Sequence, residues 1–166
     1  MFEAGLCVRC MRTLTHAVFA LWFGGVTFYA LFVIPAGRRV LGSHTAQGFV
    51  TREVSIAMQW VGAIAIALLW VDWQRTVRGR RQGKRALLAL LALTLLQAVQ
   101  FVLHPWLDAL LDAGAKHVVD ASGFYLRHRV YLLTTAALFI VAAWYLHSVL
   151  LAAIPRPAYD AGHEQR

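Results

Sequence analysis

The chain has 166 residues, of which 60% are hydrophobic and 14% charged, and it carries a formal net charge of +8. Soluble domains are about 45–50% apolar and about 25% charged, so a soluble core cannot take up this surplus of apolar residues. The basic residues lie between long apolar runs, which is typical of a membrane protein and argues against nucleic acid as a partner. Two cysteines, Cys7 and Cys10, are too few for a disulfide framework.

Four apolar segments are each long enough to cross a bilayer, which requires about 20 residues. They predict an all-α fold, a polytopic four-helix bundle that forms a single transmembrane domain over residues 1–166 and ends in a short polar tail at 155–166. The predicted spans are 13–35, 54–73, 86–107 and 130–154.

The first span contains Gly24 and Gly25 near its middle. In water a helical glycine costs up to about 1 kcal/mol relative to alanine. In lipid, small residues instead let the backbones of neighbouring helices approach closely. The two glycines are therefore predicted to be structural packing positions.

The connection at 74–85 contains six Lys or Arg residues and no acidic residue. The positive-inside rule places this connection in the cytoplasm, and both termini with it. This orientation puts ten of the Lys and Arg residues inside and six outside. The sequence therefore predicts a multi-pass protein of the inner (plasma) membrane, with the lipid bilayer as its first partner.

Polar residues form one stripe on each of the last three spans, at about 100° of rotation per residue. The stripes consist of Ser55, Gln59 and Gly62 on the second span, Gln97, Gln100 and His104 on the third, with Thr94 close by, and His128, Tyr131 and Thr135 on the fourth. Polar side chains in a bilayer tend to face the bundle interior. We therefore expect an outward-facing polar pocket between these three spans, with charged residues at its rim. These rim residues are Arg38, Arg39, Arg52, Glu53, Arg127 and Arg129. After Pro105, residues 106–114 predict an amphipathic helical turn at the interface.

Six residues of the stripes are candidates for a ligand site. Gln59, Gln97, Gln100 and Tyr131 are predicted ligand-binding residues, and His104 and His128 are predicted metal ligands. Imidazoles bind copper, zinc and haem iron, although two histidines alone do not complete a metal site. A second pair, His16 and His147, lies towards the inner ends of the first and fourth spans and suggests bis-imidazole haem ligation. Copper and haem are thus the cofactors to be tested.

The first span also supports a resemblance to a known family. Trp22-Phe23-Gly24-Gly25, followed by Phe28 and Pro35, resembles the opening helix of the copper-resistance-D-like (CopD) membrane proteins and their small four-helix bacterial relatives of unknown function. Gly48-Phe49-Val50-Thr51 and Arg127-His128-Arg129 are generally similar to those relatives, and the resemblance covers mainly the first 75 residues. It implies an inner-membrane four-helix bundle with copper handling at the outer face. The chain departs from a copper transporter in having three methionines, none of them in an outer His/Met cluster.

Three interpretations of the function remain open on the sequence. The first is a pocket that binds or moves a small ligand, ion or metal. The second is a structural or accessory subunit, in a homo-oligomer or with a partner membrane subunit, in which the polar residues only join helices. The third is a haem-binding redox protein. No catalytic motif is present, so the sequence predicts no catalytic residues and favours a protein that is not an enzyme.

Overall fold

The computed structural model describes residues 2–77, 83–112, 114–115 and 117–153; the predicted polar tail lies outside them. The helices are α1 (Phe2–Phe28), a π-helical turn (Tyr29–Val33), α2 (Ile34–Leu41), α3 (His44–Asp72), a second π-helical turn (Trp73–Val77), α4 (Gly83–Asp108) and α5 (Ala121–Ala153). A short ribbon joins α4 to α5, in which β1 (Leu111–Asp112) pairs antiparallel with β2 (His117–Val118).

Four helical segments are long and apolar enough to cross a membrane. They are Cys10–Leu41, His44–Arg75, Gly83–Asp108 and Ala121–Val149. The prediction of an all-α chain with four helices of spanning length is therefore confirmed. The helices extend beyond the predicted ends of the spans at 35, 54 and 130. The more polar residues next to these ends, at 36–41, 44–53 and 121–129, are helical as well.

The helices alternate in direction, which gives the bundle two distinct ends. We call the end with the Gly42–Ser43 connection and the β ribbon the hairpin end. We call the opposite end, where α1 begins and α3 connects to α4, the terminal end. At the hairpin end Ser43 caps α3, since its Oγ accepts the Ala46 N–H at 3.2 Å.

The π-helical turn between α1 and α2 lies directly before Pro35. A proline in a helix lacks an N–H donor, and its ring crowds the carbonyl four residues earlier, which here belongs to Leu31. The wider turn at Tyr29–Val33 contains that carbonyl, so the helix continues beyond the proline. The turn is tied to α3 because the Tyr29 hydroxyl donates to Thr51 Oγ1 at 3.2 Å.

The connection after α4 differs from the prediction. The predicted helical turn over 106–114 is correct only as far as Asp108, where α4 ends. Leu111 and Asp112 then pair with β2, and Asp112 Oδ1 accepts the Ala115 N–H at 2.9 Å within the turn that follows.

The apolar core lies in the terminal half of the bundle. Its buried members come from all four long helices and are Phe19, Trp22, Ala65, Ile66, Leu69, Ala86, Ala89, Leu90, Leu93, Leu138, Ala142 and Tyr145. Phe19 of α1 meets the edge of the Tyr145 ring of α5 at a centroid distance of 5.8 Å. The alanines let the helices approach closely around these larger side chains. The terminal half also buries Thr15 and Asp72, whereas the hairpin half contains the cavities and most of the buried polar residues.

Candidate functional site

A cavity of about 440 Å³ opens at the hairpin end, and we call it the chamber. Residues of α2, α3, α4 and α5 and of the β ribbon form its walls. Its polar and charged lining consists of Arg38, His44, Thr45, Gln47, Thr51, Arg52, Ser55, His104, Asp108, His128 and Tyr131. Small-molecule sites in proteins span about 300–1,000 Å³, so the chamber has the size of a ligand site.

Arg52 and Asp108 join α3 to the end of α4 across the chamber. The Arg52 guanidinium donates from Nε and Nη2 to the two carboxylate oxygens of Asp108, at 2.9 and 2.8 Å. A carboxylate at the C-terminus of a helix faces the negative end of the helix dipole, and the arginine offsets this repulsion. His104 Nδ1 lies 3.4 Å from Asp108 Oδ2, and Arg52 also pairs with Glu53.

Positive charge exceeds negative charge in the chamber wall. The wall contains two arginines, Arg38 and Arg52, but one carboxylate, Asp108. That carboxylate is paired with Arg52, and no ion pair of Arg38 is present among the described residues. A molecule bound in the chamber would therefore meet Arg38, whose charge is not neutralised by an acidic residue in the described structure.

The two predicted metal ligands both line the chamber. The His128 ring stacks on Phe124 at 5.5 Å, and its Nδ1 is buried without a hydrogen-bond partner in the described part of the chain. The His104 ring meets the edge of the Tyr131 ring at 6.2 Å. Within the described ranges no three His, Cys, Asp or Glu side chains are grouped closely enough to hold a metal ion. The residues present therefore do not fit a complete copper or zinc site.

The three predicted glutamines form a connected layer below the chamber. Gln97 Nε2 donates to the Gln59 carbonyl at 3.1 Å, and Gln59 Nε2 donates to the Tyr131 hydroxyl at 3.2 Å. Gln100 Nε2 donates to Thr135 Oγ1 at 2.6 Å. The stripes on α3, α4 and α5 thus meet in the bundle interior, and Tyr131 connects the glutamine layer to the chamber.

A second cavity of about 180 Å³, which we call the slot, lies beside the glutamine layer and reaches α1. Gln59, Gln97 and Gln100 line the slot and not the chamber. The slot lining contains no charged side chain. Five residues line both cavities, so the two are adjacent. These residues are Ile34, Thr51, Ser55, Tyr131 and Leu132.

Two glycines permit close packing between helices. A Cβ at Gly37 of α2 would collide with the Gln47 side chain of α3, and a Cβ at Gly62 of α3 would lie 2.6 Å from Trp22 Nε1 and 3.1 Å from Gln97 Oε1. At Gly25 a Cβ would make an ordinary contact with Met58 Cε at 3.4 Å, and at Gly24 it would meet nothing within 4 Å. The described chain thus provides Gly25 with a neighbouring helix and shows no such contact for Gly24.

Several polar residues lie away from the pocket. Thr94 is exposed, and its Oγ1 accepts the Trp70 indole N–H at 2.9 Å. Arg127, predicted at the rim, stacks its guanidinium 4.4 Å from the Trp106 ring centroid and donates to the Trp106 carbonyl. The His16 ring N–H donates to the Arg12 carbonyl at 2.7 Å, towards the terminal end. Haem ligation by His16 and His147 stays a prediction.

Sequence reasoning missed Gln47 and Asp108 as site residues. Gln47 is buried, and its Nε2 donates to Thr51 Oγ1 at 3.3 Å. Gln47, Thr51, Ser55 and Gln59 follow one another at intervals of four residues, so the polar stripe of the second span could have been extended to Gln47. Asp108 gave no such signal, because its role depends on Arg52, 56 positions away in the chain.

No family model matches the chain, and no curated protein or solved structure matches it. Its function is therefore inferred from the chamber and the slot.

Proposed function

We propose that the chain is a polytopic inner-membrane protein, with both termini in the cytoplasm, whose chamber opens to the outside and binds a small polar ligand. The observation that carries this proposal is a ligand-sized chamber in which His128 Nδ1 is buried without a partner among the described residues. A buried polar atom without a hydrogen bond costs about 1–3 kcal/mol, and a polar ligand in the chamber would remove that penalty.

The charges of the chamber favour an anion as the ligand. Arg38 has no carboxylate partner in the described structure, and a guanidinium pairs well with a carboxylate or phosphate group. His104 and His128 add hydrogen-bonding groups on the opposite helices. The proposal thus assigns anion recognition to Arg38 and hydrogen bonding to the two histidines and Tyr131.

The placement in a membrane is supported by the outer surface of the bundle. Large apolar side chains point away from it, among them Leu21, Val102 and Leu133, each about 70% exposed. The orientation is supported by the basic connection at 74–85. The resemblance to CopD-like proteins agrees with four helices, whereas no three metal-ligating side chains among the described residues are grouped closely enough for a copper site.

Cysteine labelling tests both the access and the charge of the chamber. Ser55→Cys, in a chain with Cys7→Ser and Cys10→Ser, is exposed in intact cells to membrane-impermeant anionic and cationic methanethiosulfonates. Each rate is normalised to the reagent's rate with a free thiol. We expect the anionic reagent to react several-fold faster, since charges in a narrow cleft concentrate counter-ions.

Arg38→Gln should abolish that preference, and Arg39→Gln is the matched control, because Arg39 is its exposed neighbour outside the chamber lining. A cysteine at position 55 that reacts only after the cytoplasmic side is opened would contradict an outward-facing chamber.

Two further sites test the orientation itself. Ser43→Cys should be labelled from outside, and Thr76→Cys only after permeabilisation. The reverse pattern would place the chamber on the cytoplasmic side.

Metal binding is the main competing outcome. Equilibrium dialysis with copper and zinc, on the purified protein and on His104→Ala/His128→Ala, should show no stoichiometric binding that depends on this pair. Tight metal binding that is lost in the double variant would show that the ligand of the chamber is a metal ion and not a polar molecule.

A further inference from the structure

We propose that the slot is a second binding site, specific for a lipid-soluble alcohol or phenol, that is, for one neutral hydroxyl on an apolar body. This site adjoins the chamber and shares Tyr131 with it, but it does not depend on the chamber's ligand.

The walls of the slot exclude ions. Its lining is apolar and aromatic apart from hydroxyl and amide groups, and it holds no charged residue. Phe23 and Phe139 stack on each other in this wall at a centroid distance of 4.3 Å, beside the buried Trp22. A charge placed there would lose its hydration without gaining a partner, which is strongly unfavourable.

The slot offers a hydrogen-bond acceptor. Gln100 is 2% exposed, and its orientation is set by Thr135, whose single hydroxyl hydrogen is donated to the Tyr131 carbonyl at 2.8 Å. Thr135 Oγ1 must therefore accept from Gln100 Nε2, at 2.6 Å. Gln100 Oε1 is left buried and without a hydrogen-bond partner in the described structure. A ligand that donates a hydrogen bond to this oxygen would remove the penalty of an unpaired buried acceptor.

The slot also offers a hydrogen-bond donor. The Tyr131 hydroxyl accepts from Gln59 Nε2 at 3.2 Å, and its own hydrogen enters no hydrogen bond between described residues. A hydroxyl oxygen can both donate to Gln100 and accept from Tyr131, whereas a carboxylate, ketone or ether cannot donate and an ammonium cannot accept. The pair of groups therefore selects a neutral group that both donates and accepts, and a hydroxyl is the smallest such group that does both through a single oxygen.

The size of the slot sets the size of the ligand. A dry apolar cavity of about 150 Å³ holds benzene. The slot, at about 180 Å³, accommodates one ring or a short chain bearing the hydroxyl. A longer apolar body can extend past Ile34 and Leu132, which line both cavities.

Fluorine NMR on the purified protein in detergent tests the assignment, with 4-fluorophenol and fluorobenzene as a pair that differs only in the hydroxyl. Empty micelles provide the correction for partitioning. We expect saturable binding of 4-fluorophenol, about tenfold tighter than that of fluorobenzene, because one net hydrogen bond contributes about that factor. Equal binding of the two compounds would overturn the proposal.

Variants then locate the site. Gln100→Leu and Tyr131→Phe should each remove most of the preference for the phenol. Ser148→Ala is the control, because Ser148 lies near the far end of α5 and its hydroxyl donates to the Trp144 carbonyl. A preference that survives Gln100→Leu would contradict the assignment. If Gln100→Leu does not fold, Tyr131→Phe and the ratio measured on the unchanged protein still decide.

Two other probes separate this site from the chamber. 4-Fluorobenzoate should not compete with 4-fluorophenol; if it binds in the chamber, Arg38→Gln should weaken it and Gln100→Leu should not. Tighter binding of 4-fluorobenzamide than of 4-fluorophenol at the same residues would assign the slot to amides and overturn the choice of a hydroxyl.

Discussion

The two halves of the bundle are built from the same helices but have different interiors. In the terminal half Phe19, Leu90 and Tyr145 are almost fully buried in a continuous apolar core. In the hairpin half the same helices surround the chamber and the slot, and two buried polar atoms, His128 Nδ1 and Gln100 Oε1, have no partner in the described chain. The comparison indicates that stability is concentrated in one half, while the other half retains groups suited to binding.

The halves meet at Gly62. Its missing side chain lets the Trp22 indole approach α3, and Gln97 Oε1 lies beside the same point. Trp22 belongs to the core and also lines the slot. The contact between Trp22 and Gly62 therefore marks the boundary between the two halves.

The largest difference between the halves is expected from removing a leucine side chain in each. Leu90→Ala should lower the free energy of unfolding by about 2–3 kcal/mol, because it leaves a cavity in a fully packed core. Leu132→Ala should lower it by less than about 1 kcal/mol, since Leu132 is 51% exposed and already borders two cavities. Unfolding by SDS in mixed micelles, followed by circular dichroism, measures both. Equal losses would mean that the two halves are packed alike.

The boundary is tested by a pair of glycines. Gly62→Ala should cost about 1–2 kcal/mol, because the new Cβ would lie 2.6 Å from Trp22 Nε1 and force the indole to move. Gly24→Ala should be neutral or stabilising by up to about 1 kcal/mol, because nothing lies within 4 Å and alanine favours the helix. The same SDS titration, together with the near-ultraviolet signal of tryptophan, reports both effects. A neutral Gly62→Ala would place the tight contact elsewhere.

A smaller effect is expected from the ion pair of the hairpin half. Arg52 and Asp108 are each about one-quarter exposed and joined by two hydrogen bonds. We expect a coupling of about 1 kcal/mol in a double-mutant cycle of Arg52→Gln and Asp108→Asn. High salt should reduce it little, since the pair is partly buried. Strictly additive single losses would show that the pair does not contribute to stability.

The smallest effect is expected at the start of α5, where Asp120 precedes the helix. Its carboxylate accepts the Gly123 N–H at 3.0 Å and the Ser122 hydroxyl at 2.8 Å, and these bonds lower the pKa of Asp120 below its usual 3.8. Because the folded pKa is the lower one, the unfolded chain binds more protons as pH falls. The contribution of Asp120 is therefore complete above pH 3.8 and is lost as pH drops through the folded pKa.

Hydrogen exchange of the first turn of α5 checks this prediction. Protection should decrease on acidification below about pH 4 in the unchanged protein. In Asp120→Asn that pH dependence should be absent. An unchanged profile in the variant would assign the acid sensitivity to another group.

The helices and the polar stripes were predictable because both are periodic features. Gln97, Gln100 and His104 recur at the spacing of a helix face, and all three are buried as expected. A single residue outside such a pattern is harder to place. Trp60 lies well inside the second predicted span, yet it is 61% exposed and meets Phe101 on the outside of the bundle.

The ends of the helices and the contacts between them were harder to predict. The hydrophobic spans near 35, 54 and 130 end where the sequence becomes polar, yet the helices continue. Capping at Ser43 and the contact of Gln47 with Thr51 support the start of α3, and Asp120, which accepts the Gly123 N–H, supports the start of α5. The β ribbon has two-residue strands, which are too short to show an alternating pattern. The Arg52–Asp108 pair depends on the relative rotation of α3 and α4, which a single sequence does not specify.

The π-helical turn at Tyr29–Val33 has a consequence for how the first helix could change over evolution. A π-helical turn contains one residue more than a regular turn. It therefore changes the rotational position, about the helix axis, of every residue that follows it. Deleting one residue there would rotate α2 by about 100° and carry Arg38 away from the chamber, while the core residues of α1 kept their places. A one-residue insertion or deletion could thus change the direction in which Arg38 points without any substitution in the chamber wall.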